Sequence, residues 1–176
     1  MRALILLLCI VALSSCKSLT PFTQDLYADL DMSEEELKHV QFYLSKDIIL
    51  YRALSASEAE VTKGKIKLKK GQKVQEIVIR QGTPGVLMFM PKEDRFAISF
   101  ESENDDFLMF GPNKKLSQKY TLLGKSWEGR IGEVTYGDQV YQTSTKNALA
   151  ALMVDLSKFK NTKITRKTAG GRKVSE

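Results

Sequence analysis

Histidine and cysteine, which serve often in catalysis and metal binding, are scarce in this 176-residue chain. His39 is the single histidine, and Cys9 and Cys16 are the two cysteines. Most metal sites need several histidine, cysteine or carboxylate ligands, and cysteine proteases and serine hydrolases of the triad type need a histidine beside the nucleophile. One histidine and two cysteines therefore exclude most chemistry of these kinds. His39 lies in a predicted helix, where the nearest carboxylate at helical spacing is Glu35, one turn earlier. We therefore interpret His39 as a partly exposed helix residue.

An acidic cluster is the second group that could do chemistry. It comprises Glu101, Glu103, Asp105 and Asp106. Carboxylate oxygens at this density could bind calcium, and a carboxylate pair could divide acid and base roles in a hydrolase. The segment lacks the central glycine of an EF-hand loop, and a polar connector offers no apolar surroundings that would keep one acid protonated. We expect a solvated hairpin loop here, and no catalytic residue, metal site or cofactor anywhere in the chain.

Residues 1–16 combine a positive charge, an apolar run and a cysteine. Arg2 precedes the apolar residues 3–13, a run too short to cross a membrane as a helix. The sequence Leu-Ser-Ser-Cys at residues 13–16 resembles the lipobox of bacterial lipoproteins. The resemblance implies that residues 1–15 are a removable signal peptide and that Cys16 becomes the lipidated first residue of the mature protein.

The residues that follow Cys16 indicate in which membrane the lipid anchor would lie. In bacterial lipoproteins, as the resemblance implies, aspartate after the cysteine retains the protein in the inner membrane. An acidic cluster there marks some Bacteroidota lipoproteins for the cell surface. Lys17 and Ser18 follow instead, so we expect an anchor in the outer membrane, at its periplasmic face, and a short tether over residues 16–22. The mature chain also resembles the small uncharacterised lipoproteins of Bacteroidota.

Positive charge is concentrated in a basic tail over residues 157–176. The formal net charge of the chain is +6, and the tail holds seven basic residues against one acidic residue. Its proposed partner-binding residues are Lys158, Lys160, Lys163, Arg166 and Lys167. Basic tails bind nucleic acids, anionic lipids or acidic protein surfaces. Export argues against nucleic acid, and no aromatic residue follows Phe159 to stack on bases. A flexible, solvated tail without a partner is the alternative.

Two short helices are predicted at the start of the folded domain, which we place at residues 23–156. Thr23 can cap a helix in which Leu26 and Leu30 share one face. Ser33 and Glu36 form a capping box for a second helix, which we expect to run to about residue 44.

From residue 47 the hydrophobic period changes from 3.6 to 2. This predicts strands near residues 48–54, 63–69, 74–80, 86–90, 95–101, 107–110, 119–123, 130–136 and 139–143. Turns are expected at residues 83–85 and 111–113, which contain glycine and proline. Residues 148–159 fit a helix or a strand, and we favour a strand at 152–156, which would pair a sheet edge. About eight to ten short strands predict a mainly β fold, an antiparallel barrel or barrel-like sandwich.

Two functions fit this sequence. The first is a membrane-anchored, non-catalytic accessory or scaffold subunit of an outer-membrane protein assembly, suggested by the anchor, the acidic helices and the basic tail. The second is a carrier or sensor that holds a small apolar or lipid ligand in a barrel cavity, with Phe96, Phe100 and Trp127 as its lining.

Overall fold

The computed structural model describes residues 18–54, 66–69 and 72–159. Leu19–Val154 form one compact unit, and Met1–Ser18 with Asp155–Glu176 form a second. Of the second unit, the described part is Ser18 and residues 155–159. There the Asp155 side chain caps a short 3-10 helix, Leu156–Lys158, by accepting a hydrogen bond from the Ser157 amide at 3.0 Å. Cys16 and the tail from residue 160 onward lie outside the described residues.

Two short helices follow the first strand of the larger unit, α1 at Gln24–Leu30 and α2 at Glu34–Leu37. The Thr23 hydroxyl accepts a hydrogen bond from the Leu26 amide at 3.1 Å, and the predicted capping box of Ser33 and Glu36 is present. No helix within residues 18–54, 66–69 and 72–159 is long and apolar enough to span a bilayer.

The second helix is shorter than predicted. It ends at Leu37, and Phe42–Leu44 form a strand in which Phe42 and Leu44 are buried. Backbone pairing of this segment with strands on both sides, which its apolar spacing does not reveal, outweighs the local helical pattern.

Seven strands form the first sheet. Their bounds are β1 Leu19–Pro21, β2 Phe42–Leu44, β6 Pro84–Lys92, β7 Arg95–Ser99, β8 Phe107–Asn113, β9 Lys119–Leu122 and β13 Leu152–Asp155. Their order is β1-β13-β2-β6-β7-β8-β9, and the pairs from β13 to β9 are antiparallel. The strand that we favoured at 152–156 is thus confirmed as β13.

Six strands form the second sheet, all paired antiparallel. Their bounds are β3 Ile48–Ala53, β4 Ile66–Lys69, β5 Gln72–Ile79, β10 Ser126–Glu128, β11 Ile131–Tyr136 and β12 Gln139–Ser144. Their order is β10-β11-β12-β3-β5-β4.

The first sheet bends so that its two edges meet. Isolated bridges join Thr23 to Lys119 and Thr121 to Ala151, and the Tyr120 amide donates to the Phe22 carbonyl at 3.0 Å. These are single bridges and not a continuous ladder, so the described strands form no closed barrel. Together with the second sheet they give a sandwich-like arrangement. The prediction of a mainly β, barrel-like sandwich with two short N-terminal helices is confirmed.

The described residues contain thirteen strands, more than the predicted eight to ten. The three that were missed, β1, β2 and β10, have three residues each, too few to show an alternating pattern. β1 lies within residues 16–22, which we had predicted to be a tether.

Two predicted turns are wrong, because proline and glycine lie inside strands there. Pro84 and Gly85 begin β6, and the preceding turn centres on Gly82, whose φ of 77° favours glycine. β8 likewise continues through Gly111 and Pro112.

Aromatic rings fill the centre of the first sheet. Phe22, Phe42, Phe96 and Tyr120 are fully buried, and Tyr27 packs beside them. The closest pair is Phe96 with Tyr120, whose ring centroids are 4.7 Å apart. The Tyr120 hydroxyl donates to Gln24 Oε1 at 2.8 Å, and burial raises its pKa. This cluster joins the first strands of the chain to β7 and β9.

Candidate functional site

One side of the six-stranded sheet carries exposed apolar side chains, and we call it the outer face. β11 shows why: its residues alternate strictly between exposed and buried positions, beginning with exposed Ile131. Residues that face each other in antiparallel strands point to the same side of the sheet. The outer face therefore comprises Ile49, Tyr51, Ala53, Val74, Glu76, Val78, Ser126, Glu128, Ile131, Glu133, Thr135, Val140, Gln142 and Ser144, of which Val74 is buried.

A polar row crosses the middle of the outer face. Strand register aligns Ser126, Glu133, Gln142, Tyr51 and Glu76 in that order across five strands. Within it, the Ser126 hydroxyl donates to Glu133 Oε2 at 3.1 Å. The row places two carboxylates, one amide and two hydroxyl groups on the outer face.

Apolar side chains flank this polar row. By register, Ile131 and Val78 lie on one side of it and Val140 lies on the other. The exposed fractions are 43% for Ile131, 37% for Val78 and 48% for Val140. A notch of about 230 Å³ lies at the β10 end of the face, lined by Ser126, Glu128, Ile131, Glu133 and Gln142. The outer face thus offers apolar contact area beside carboxylate acceptors.

A separate groove of about 420 Å³ lies where β6 begins and β7 ends, and we call it the Phe100 groove. Its lining residues are Gln41, Pro84, Gly85, Val86, Ser99, Phe100, Glu101 and Ser102. A Cβ on Gly85 would lie 2.6 Å from Phe100 Cε1, so the ring lies directly on the glycine. The Gln41 amide nitrogen donates to the Gly85 carbonyl at 2.8 Å. The groove therefore has an apolar floor and polar walls.

Glu101 supplies the carboxylate of this groove, and its position is fixed by hydrogen bonds. The Tyr136 hydroxyl donates to Glu101 Oε1, and the Asn104 amide nitrogen donates to Oε2 at 3.4 Å. Tyr136 is buried, and burial together with its hydrogen bond to Glu101 raises the tyrosine pKa. The tyrosine therefore stays protonated and donates to Glu101 at the mouth of the groove.

The three aromatic residues that were proposed to line one ligand cavity occupy different surroundings. Phe96 is fully buried in the aromatic cluster, whereas Phe100 lines the groove just described. Trp127 is 41% exposed on edge strand β10, with its ring against Gly132 and Gly124. The alternative function, a carrier or sensor of a small apolar or lipid ligand, stays a prediction.

The residues proposed for anchoring and partner binding lie at the ends of the chain. Lys158 is exposed in the short 3-10 helix Leu156–Lys158. Cys16, Lys160, Lys163, Arg166 and Lys167 are outside the described residues.

His39 and the acidic cluster show no arrangement for metal binding. His39 is exposed and follows α2 instead of lying within it. Among the described residues, no group of three histidine, cysteine, aspartate or glutamate side chains could hold a metal ion. Of the acidic cluster, Glu101 lines the groove, a role that sequence reasoning did not assign.

Sequence reasoning missed the outer face and the partner of Glu101. Alternation along residues 131–136 identifies side chains that share a face but does not say which face is exposed. Glu101 and Tyr136 are 35 positions apart, so no spacing signal links them. Comparisons of the chain with family models, with curated proteins and with solved structures gave no match.

Proposed function

We propose that the protein is a membrane-anchored, non-catalytic lipoprotein that acts as an accessory or scaffold subunit of an outer-membrane protein assembly. In this proposal a lipid on Cys16 holds it at the periplasmic face of the outer membrane, and the outer face binds a protein partner. The lipobox resemblance at residues 13–16 supports the anchor. One structural observation carries the binding role: Ile131, Val78 and Val140 are exposed together on one side of a sheet.

The shape and composition of the outer face favour a protein as the partner. It extends over five strands, and its polar row can form hydrogen bonds while the apolar residues on both sides of it exclude water. Large apolar side chains gathered on one exposed face are typical of interaction surfaces.

The charge of the outer face limits the kind of partner. Glu128 and Glu133 line its notch beside Ile131. We therefore expect a partner surface that presents apolar side chains together with lysine or arginine, since opposite charges guide association and fix the register of the two surfaces. The basic tail, with Lys158, Lys160, Lys163, Arg166 and Lys167, would make a second contact with an acidic region of the same assembly or with anionic lipid.

The test is native mass spectrometry of the full-length protein, purified by affinity from the membranes in which it is made. The variant Ile131→Lys with Val140→Lys replaces exposed apolar groups by charges that repel a basic partner. Leu149→Lys is the matched control, because Leu149 is 43% exposed and belongs to neither sheet.

We expect a stoichiometric protein partner with the wild type and with Leu149→Lys, and its loss with the double variant. The same spectrum reports the acyl mass on Cys16, which tests the anchor. Recovery of the same partner with the double variant would show that the outer face is not the interface. A wild-type protein that carries no stoichiometric partner would overturn the scaffold role.

A further inference from the structure

The Phe100 groove combines an apolar aromatic floor with one acidic group. Of its lining residues, Pro84, Val86 and Phe100 supply apolar surface, and Glu101 supplies a carboxylate. The other lining residues are polar but uncharged, or glycine, so Glu101 sets the charge of the lining. Its volume of about 420 Å³ falls in the range of sites for small molecules.

The carboxylate is held in place by groups that are themselves packed. Tyr136, which donates to Glu101, is buried, and its ring meets that of Tyr141 edge-on with centroids 6.3 Å apart. The Tyr141 hydroxyl in turn donates to Gln75 Oε1 at 3.4 Å. Glu101 is exposed, but these hydrogen bonds already restrict its side chain, so ligand binding costs it less side-chain freedom than a carboxylate without such partners would lose.

An aromatic ring beside a fixed carboxylate is suited to a cation. A protonated amine donates a charge-assisted hydrogen bond to a carboxylate, and it is attracted electrostatically by the face of an aromatic ring. Phe100 and Glu101 are consecutive residues that line the same groove, so one ligand can reach both.

We propose that the Phe100 groove binds an organic ammonium ion, with its charged head at Glu101 and its apolar body on Phe100, Pro84 and Val86. The ligand is a free alkylamine or the side chain of a lysine in a peptide, since both present a protonated amine on an aliphatic stem. This inference is independent of the partner proposed for the outer face.

The first test is a titration of the full chain at pH 7 with hexylamine, followed by NMR or calorimetry, in parallel with hexan-1-ol. Nα-acetyl-lysinamide is the probe for the peptide source. We expect hexylamine to bind roughly tenfold more tightly than hexan-1-ol, because a hydrogen bond to a charged group contributes that much. If hexylamine binds and the lysine probe does not, the ligand is a free amine. If both bind, a lysine side chain of a peptide also fits the groove. Equal binding of hexylamine and hexan-1-ol would overturn the proposal, and so would no binding of either amine.

The second test locates the bound cation. Glu101→Gln removes the charge but keeps the shape and the acceptor for Tyr136, and Glu133→Gln makes the same change on the outer face. We expect roughly tenfold weaker hexylamine binding with Glu101→Gln and unchanged binding with Glu133→Gln. Unchanged binding with Glu101→Gln would contradict the proposal.

A measurement on the wild type keeps the proposal testable if circular dichroism shows that Glu101→Gln is unfolded. Hexylamine binding should weaken as sodium chloride is raised, since salt screens a partly exposed ion pair. Binding that does not respond to salt would refute the ionic contact.

Discussion

The indole ring of Trp127 lies over Gly132, the residue that pairs with it on the neighbouring strand. A Cβ at position 132 would collide with the ring, and a Cβ on Gly124 would lie 2.9 Å from its Cε2. The ring therefore covers two glycines where β10 forms the edge of the second sheet. Aromatic rings that cover glycines in this way stabilise short edge strands.

Gly132→Ala should displace this ring. We expect a loss of about 1–3 kcal/mol in the free energy of unfolding, because the added methyl group overpacks the contact. Trp127 is the single tryptophan, so the shift of its fluorescence maximum to longer wavelength reports the displacement directly. Thr135→Ala, at an exposed position of the same strand, is the control. An unchanged emission maximum in Gly132→Ala would contradict the contact.

The buried tyrosines should make the free energy of unfolding depend on pH in the alkaline range. Burial raises the pKa of Tyr136, and its hydrogen bond to Glu101 adds to the shift. The free energy of unfolding should therefore fall once the pH exceeds about 10, where tyrosines of the unfolded chain ionise while Tyr136 stays protonated.

In Tyr136→Phe the free energy of unfolding should fall less steeply with pH. The part of the slope that Tyr136 contributes is about 1.4 kcal/mol per pH unit above pH 10. At pH 7 the same variant should lose about 1.5–3 kcal/mol, the contribution of a hydrogen bond to a charged group. Urea unfolding at pH 7, 10 and 11 measures both effects. Identical slopes for wild type and variant would disprove the role of Tyr136.

Replacing Gly85 or Gly82 by alanine should lower the free energy of unfolding for different reasons. Gly85→Ala pushes Phe100 out of position, so we expect a loss of about 1–3 kcal/mol and weaker hexylamine binding. Gly82→Ala meets no atom within 4 Å but strains a backbone with a φ of 77°, so it should lose about 1 kcal/mol and bind hexylamine normally. Thermal unfolding and titration of both variants separate the two causes. Normal binding by Gly85→Ala would show that the Phe100 ring does not form the floor.

Asn147 should contribute more to stability than its exposed neighbour Lys146. Its amide nitrogen donates to the Ile49 carbonyl at 2.9 Å and to the hydroxyl of buried Thr143 at 3.1 Å. We expect Asn147→Ala to cost about 1–2 kcal/mol and Lys146→Ala to stay within about 0.5 kcal/mol of the wild type. Denaturant unfolding of both gives the comparison, and equal midpoints would rule out the network.

Elements whose signals lie within a few residues were predictable from the sequence. The cap at Thr23 and the capping box at Ser33 depend on side chains that reach only three positions along the chain. β3, at Ile48–Ala53, has the β-branched and aliphatic residues that favour strands.

Elements that depend on distant partners were not predictable. Leu44 continues the helical spacing of Leu37 and Val40, but the pairing of Phe42–Leu44 with Pro84 and Gly85 makes this segment a strand. Tyr136, at the end of β11, donates to Glu101, which follows β7 in the other sheet. No local sequence pattern indicates that these two positions meet. The Phe100 groove depends on contacts of the same kind: the sequence placed its residues in a helix, in two strands, in a turn and in a connector, and no local pattern brings these segments together.

The place of β13 has a consequence for the order in which the molecule is built. This strand comes last among the thirteen, yet it lies between β1 and β2, which are two of the first. A ribosome releases the chain from its N-terminus, so both β1 and β2 lack β13 as a neighbour until Val154 has emerged. Completion of the first sheet therefore waits for nearly the whole chain, and a nascent or truncated polypeptide that lacks residues 152–154 would expose β2 to misassembly and to proteases.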